Sequence, residues 1–181
     1  MPMRNVLFVT PFPSRCMEYV GATAGLDDVR LLGITQEVPR GDAAKVFADV
    51  VTVENTDDPV QAVAAARVLE HRHGRIHRVL GIREALQVAL GEIRRALGVP
   101  GPGPDTAELF RNKARMKDEL RRHGLPCARH RLLRSWSDAE AMIAEIGLPL
   151  VVKPPAGTNC ERVRRARTID ELRDEIGRAH V

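Results

Sequence analysis

Apolar residues follow two spacings along this chain, and the change from one to the other marks out its elements. Val6-Leu7-Phe8-Val9 is a compact apolar run of strand type, and Val29 to Ile34, Val50 to Val53 and Val79 to Ile82 are three more. Between the third and fourth runs Pro59 opens a helix, with Val60, Val63, Ala64 and Val68 expected on its buried face. After the fourth run, Leu86, Leu90, Ile93 and Leu97 recur at helical spacing until Gly98 ends the element. Strands alternating with helices predict right-handed βαβ units and a parallel sheet covered on both faces.

The layout of this first part is Rossmann-like, yet it lacks the dinucleotide fingerprint. The loop after the first strand reads Thr10-Pro11-Phe12-Pro13-Ser14-Arg15, with no GxGxxG, so a tightly held NAD is not expected. Ser14 and Arg15 have two readings: a contact for a substrate anion at the C-terminal edge of the sheet, or a plain strand-to-helix connection. Pro100-Gly101-Pro102-Gly103-Pro104 continues neither a helix nor an interior strand, and a domain boundary is expected there. Beyond it, Asp105 with Glu108, Ser137 with Glu140 and Thr168 with Glu171 each fit a cap residue followed three later by a carboxylate. The middle helix carries an apolar stripe of Ala139, Met142, Ile143 and Ile146. Cys127 to Leu133, Leu148 to Lys153 and Arg162 to Arg167 are the strand candidates of this second part.

Composition narrows the classes. The chain has 181 residues, 44% of them apolar, enough for one large domain or two small ones with a real core. No apolar run approaches the ~20 residues of a bilayer span, and the N-terminus leads straight into a strand without a signal-peptide pattern. A cytoplasmic protein with no membrane partner is expected. Cys16, Cys127 and Cys160 are an odd, scattered set, which argues against a disulfide framework. His71, His73 and His77 cluster, but no carboxylate or cysteine joins them at ligand spacing, and no metal is expected on them. The net charge of +4 is small and its arginines are scattered, with one Trp and one Tyr for base stacking, so nucleic acid is the weakest of the readings. The sharpest basic cluster, Arg162, Arg164, Arg165 and Arg167, alternates with Val163 and Ala166 and reads as a solvated strand edge.

Lysine is scarce here. Of 28 basic residues only Lys45, Lys113, Lys117 and Lys153 are lysines, so one in a special place is informative. Lys153 ends Pro149-Leu150-Val151-Val152-Lys153, an apolar run expected to be buried on both sides. Pro154-Pro155 then stops the strand and Ala156-Gly157-Thr158-Asn159 turns. That order suits a phosphate cradle, and equally a strand-end lysine reaching water. Lys113 shares a helical face with Met116, Lys117 and Leu120, bordering an apolar stripe; by itself such a lysine is more often a solvated one.

Residues 99 to 174 resemble the start of an ATP-grasp domain. The shared order is Val99-Pro100-Gly101, a short helix, Phe110-Arg111-Asn112-Lys113, Met116-Lys117 and His123-Gly124-Leu125-Pro126. Gly147-Leu148-Pro149-Leu150-Val151-Val152-Lys153-Pro154 and Glu171-Leu172 follow. The family usually has Asp-Lys where this chain has Asn112-Lys113. The resemblance implies an α/β protein, with a Rossmann-like pre-ATP-grasp domain over residues 1–103 and part of the N-terminal α+β subdomain of an ATP-grasp fold over 104–175. It further implies that Lys113 and Lys153 contact ATP phosphates and that Gly157, Thr158 and Asn159 belong to the loop closing over them. Many members have several glycines in that loop; here it reads Ala156-Gly157-Thr158-Asn159-Cys160-Glu161-Arg162.

The implied activity is that of an ATP-dependent carboxylate–amine ligase, with ATP, Mg²⁺ and a small-molecule carboxylate as partners and a homodimer left open. The catalytic residues are unassigned, and Mg²⁺ ligands are expected downstream of this chain. A non-catalytic nucleotide-binding module of the same fold is the alternative. Glu175-Ile176-Gly177-Arg178-Ala179-His180-Val181 matches one frame of a common short-read sequencing adapter, GAG ATC GGA AGA GCA CAC GTC, followed directly by TGA. Residues 176–181 are therefore expected to be a non-native tail on a C-terminally truncated chain that is inactive alone.

Overall fold

The computed structural model describes residues 3–23, 25–157 and 162–179, with only the backbone of 178 and 179. The chain divides into two compact units, residues 1–108 and 109–181. It is an α/β protein whose first unit is built on a parallel sheet.

The first unit contains β1 (Arg4–Thr10), α1 (Met17–Gly21), β2 (Val29–Thr35), α2 (Asp42–Val46), β3 (Asp49–Thr52), α3 (Pro59–His73), β4 (Ile76–Leu80) and α4 (Gln87–Leu97). The four strands pair in the order β3-β2-β1-β4, all parallel. Strand side chains alternate in direction, so β1 and β2 each feed two cores. Leu7, Val9, Leu32 and Ile34 pack with Ala62, Leu69, Leu90 and Ile93 of α3 and α4. Val6, Phe8 and Leu31 pack on the other side with Cys16, Val20 and Phe47. Gly33 faces that second core, where a Cβ would stand 2.9 Å from Cδ1 of Phe47, so the ring fills the space of the missing side chain.

Two elements differ from the expectation. The buried face of α3 is Ala62, Ala65, Ala66 and Leu69, while Val60 is 78% exposed and Val68 also lies outward. Alanines let the helix lie close to the sheet and to α4, and that contact outweighs the bulkier valines. The fourth strand begins at Ile76, not Val79, and Ile82 is outside it and exposed. Its start is fixed by Asn5, whose carboxamide donates to the carbonyls of His73 (2.8 Å) and Arg75 (3.0 Å) and whose backbone N–H donates to Nδ1 of His77 (3.0 Å).

The histidine cluster has structural partners. Nε2 of His73 meets Oδ2 of Asp49 at 2.8 Å, and Arg72 approaches the same oxygen at 3.2 Å. The His73 hydrogen bond, with Arg72 assisting, holds the Asp49 carboxyl below its usual range. A lowered carboxyl pKa adds stability that is present above the unfolded-state value and is lost as pH falls through the folded one. In urea titrations, the stability lost by Asp49→Asn is therefore expected to shrink as pH drops below about 4. An Asp49→Asn penalty unchanged at pH 3 would contradict this.

The Pro/Gly segment is ordered against α4. The guanidinium of Arg94 donates to the carbonyls of Val79 (2.8 Å) and Pro102 (3.1 Å), and burial lowers its pKa. Gly101, at φ 143°, lies over the Arg94 side chain in a conformation that suits glycine. From there α5 (Pro104–Arg111) starts at Pro104, so Asp105 sits in its first turn instead of capping it.

The second unit holds α6 (Lys113–Arg122), α7 (Trp136–Ile146), β5 (Leu150–Val152), β6 (Arg164–Ala166) and α8 (Ile169–Ala179). Its core joins Ala139, Met142, Leu150, Ala166 and Leu172, with Leu133, Trp136 and Ile176 packed against them. Thr168 accepts from the Glu171 N–H (3.2 Å), the cap pair expected at the start of α8, and the Glu171 carboxylate accepts from the N–H of Arg167, the residue before the cap (2.6 Å). In α7 the cap is Ser135 with Asp138, not Ser137 with Glu140. Beginning at Trp136 brings the indole onto the core, and Glu140 accepts its N–H at 2.6 Å. Residues 127–133 form no strand; Leu132 is exposed and only Leu133 reaches the core.

Candidate functional site

The two lysines singled out by sequence flank one turn. Asn112 ends the α5 stretch in an extended conformation, and its side-chain oxygen accepts from the N–H groups of Ala114 (3.1 Å) and Arg115 (3.2 Å). This caps α6 and makes Lys113 its first residue. An aspartate would cap equally well; asparagine does so without adding a negative charge beside Lys113. The backbone N–H of Lys113 donates to the carbonyl of Pro155 at 2.9 Å, and its ammonium stands 3.4 Å from the Gly157 carbonyl. Lys113, forty residues before Lys153 in sequence, is thus tied to the turn that begins two residues after Lys153, at Pro155.

Lys153 follows β5 directly. The strand pairs antiparallel with β6, Leu150 opposite Ala166, Val151 opposite Arg165 and Val152 opposite Arg164. Leu150 and Ala166 are buried, whereas Val151 is 56% exposed. The run is therefore buried on one face only, contrary to the expectation of burial on both sides. Lys153, two residues beyond Val151 and solvent-exposed, falls on the open face. The expected apolar stripe beside Lys113 is also shallower: α6 has no fully buried residue, and Met116 and Leu120 are half-buried.

Gly157 is described and half-buried; Thr158, Asn159 and Cys160 lie outside the described residues. At the far side of that loop Arg162 has φ 55°, a left-handed conformation that favours glycine. Arginine there is consistent with a loop poorer in glycine than the family pattern. Among the described residues, no group of three or more His, Cys, Asp or Glu side chains could hold a metal ion, so none of these residues is assigned to Mg²⁺.

Ser14 and Arg15 belong to the first unit. They lie in a single 3₁₀ turn, Pro13–Arg15, after β1. Ser14 lines an open concavity of about 430 Å³ with Glu37, Val38 and Arg40 from the loop after β2. Arg15 stacks its guanidinium on the Phe12 ring, 4.7 Å from the centroid. The concavity gives Ser14 surroundings with both signs of charge; Arg15 is engaged with the aromatic ring. Sequence reasoning singled out neither the Pro155 carbonyl that anchors Lys113 nor the concavity residues Glu37 and Arg40. A carbonyl carries no sequence signal, and the two loop side chains come together only through the pairing of β1 with β2.

No family model matches the chain. A D-alanine–D-alanine ligase from Ectopseudomonas mendocina is 32% identical over 108 residues, 59% of this chain and 33% of that protein. An L-arginine-specific L-amino acid ligase from Bacillus subtilis is 31% identical over 84 residues, 46% of this chain and 20% of that protein. Among solved structures, the L-amino acid ligase from Bacillus licheniformis superposes with a TM-score of 0.72 at 19% identity, over 99% of this chain and 43% of its own. An ADP complex of N5-carboxyaminoimidazole synthetase from Staphylococcus aureus gives 0.71 at 11% identity, over 98% of this chain and 45% of its own. The fold is that of the ATP-grasp enzymes. By sequence the chain is related to ATP-grasp ligases, as the lysine-bearing segments indicated. It spans about a fifth to a third of the length of these two curated relatives. Among the described residues no helix is long and apolar enough to cross a membrane.

Proposed function

We propose that this chain supplies the phosphate-holding part of an ATP-dependent ligase that joins a small-molecule carboxylate to an amine. The observation that supports it most directly is the tie between Lys113 and the 155–157 turn, which keeps two cations on either side of one loop. In the reaction proposed, a carboxylate oxygen attacks the γ-phosphorus of ATP, ADP leaves, and an acyl-phosphate forms. The amine then attacks the acyl carbon, phosphate departs, and the nitrogen loses its proton. The first step gathers negative charge on phosphate oxygens, and fixed cations stabilise that charge without reorganising. Lys113 and Lys153 are given this role, with Gly157, Thr158 and Asn159 as the loop beside them. Ser14, with Arg40 nearby, is placed on the side of the carboxylate substrate, where open α/β sheets receive ligands.

The described residues offer no metal-ligand set, so the proposal gives this chain binding and orientation, not turnover. The purified 181-residue chain is expected to bind ATP in an equilibrium titration and to release no ADP when Mg²⁺ and candidate amino-acid substrates are added. Mg²⁺-dependent turnover by this chain would remove the claim that it lacks the chemistry, and absence of ATP binding would remove the phosphate role itself.

A further inference from the structure

We propose that Arg165 is a third phosphate-contacting cation of this nucleotide site, beside Lys153 on the open face of the β5–β6 pair. The inference rests on the nucleotide reading above and adds a residue to it. All four arginines of residues 162–167 read from sequence as one solvated strand edge, but the strand register separates them. Arg165 stands directly opposite Val151, the exposed residue of β5. Lys153 is two residues further on the same face, which makes it the diagonal neighbour of Arg165, about 7–8 Å away between backbones. Arg164, opposite Val152, lies on the other side with buried Ala166, and its guanidinium donates to the Val163 carbonyl at 3.2 Å.

Two further facts point to an anion. Among the described residues, neither Lys153 nor Arg165 forms an ion pair or a side-chain hydrogen bond, whereas Arg72, Arg95 and Arg122 each pair with a carboxylate. Lys153 and Arg165 share one face, and Lys113 is tied to the adjoining turn, so a polyanion held there would meet three positive charges. A diphosphate or triphosphate spans that separation, and a guanidinium can engage two of its oxygens at once. Val151 between the cations presents apolar surface, which suits a ligand with a polyanionic end and a flat apolar end.

The experiment is a calorimetric titration of ATP, and separately of inorganic tripolyphosphate, into the purified chain at low ionic strength. Arg165→Gln is expected to weaken both about tenfold, the worth of one charge-assisted contact. Arg164→Gln is expected to change either by less than about twofold, as an exposed charge off the face does. Equal behaviour of the two arginine variants, with Lys153→Met still weakening ATP, would overturn the role of Arg165 and leave the nucleotide reading standing. Loss of ATP affinity with tripolyphosphate unchanged would also overturn it, because Arg165 would then meet the nucleoside. Indifference of all three variants would defeat the nucleotide reading itself.

Discussion

Lys153→Met is expected to weaken ATP binding by about ten- to a hundredfold, while Lys45→Met leaves it unchanged. A hydrogen bond to a charged group is worth roughly 1.5–3 kcal/mol, and methionine keeps the length and apolar stem of lysine while removing the ammonium. Lys45 is the right control because its ammonium already has a partner, Oδ1 of Asp42 at 2.8 Å, on an exposed helix. Lys153 has no such partner among the described residues and sits at the mouth of the turn that Lys113 grips. Because Lys153 is exposed, its substitution removes no core contact, and folding stability should be unchanged. Affinities measured by equilibrium titration at two salt concentrations check the result: the gap between the variants should narrow as salt rises. Equal affinity for the two variants would mean that Lys153 is a strand-end lysine in water.

The candidate site is legible in sequence as an order of motifs and not as a geometry. Scarce lysines, the Pro-Pro stop and the small-residue turn suggested a phosphate cradle at Lys153, but they did not say which face of the strand it occupies. That follows from the register with β6, set across a loop by Leu150 meeting Ala166 over the core. Lys113 was harder still. Its side chain reads as an ordinary helix lysine; the hydrogen bonds from its N–H to Pro155 and from its ammonium to the Gly157 carbonyl bring it to the turn.

In the fold, long apolar runs were legible and local competition was not. The first two strands and the Leu86–Leu97 stripe emerged because nothing in the sequence competes with them. The α3 face was misread because alanine adds little to an apolar pattern, although Ala62, Ala65 and Ala66 let the helix approach closely. The start of α7 falls two residues before the expected one, because Ser135 with Asp138 satisfies the same cap rule as Ser137 with Glu140. The tie is broken by the packing of Trp136, a tertiary contact. The fourth strand was placed late because Arg75, His77 and Arg78 hide its beginning, and the feature that fixes it, Asn5, is some seventy residues away in sequence.

Gly91→Ala is expected to destabilise the first unit by about 3 kcal/mol, opposite in sign to the usual effect of this change in a helix. Within an open helix, alanine is favoured over glycine by roughly 0.8–1.0 kcal/mol, because glycine has more backbone freedom to lose. Gly91 lies in the interior of α4, yet a Cβ there would stand 2.6 Å from the Pro104 nitrogen, 2.7 Å from the Gly103 carbonyl carbon and 2.7 Å from the Pro104 Cα. All three are backbone atoms, and proline cannot rotate them aside. The helix cannot retreat either, since Ala89, Leu90 and Ile93 hold it in the main core. Either α4 or the Pro/Gly segment must move, and the segment is held by the Arg94 bond to Pro102. Overpacking of this kind costs about 1–3 kcal/mol, occasionally more, and a clash with backbone belongs at the upper end. For a unit of this size that is a fall in melting temperature of about 15 °C, read by far-ultraviolet circular dichroism. Gly21→Ala is the control, because no atom lies within 4 Å of a Cβ at that position and its conformation needs no glycine. A melting temperature for Gly91→Ala equal to or above that of Gly21→Ala would show that the segment yields freely, and that the chain's crossing over α4 is not a fixed contact of this fold.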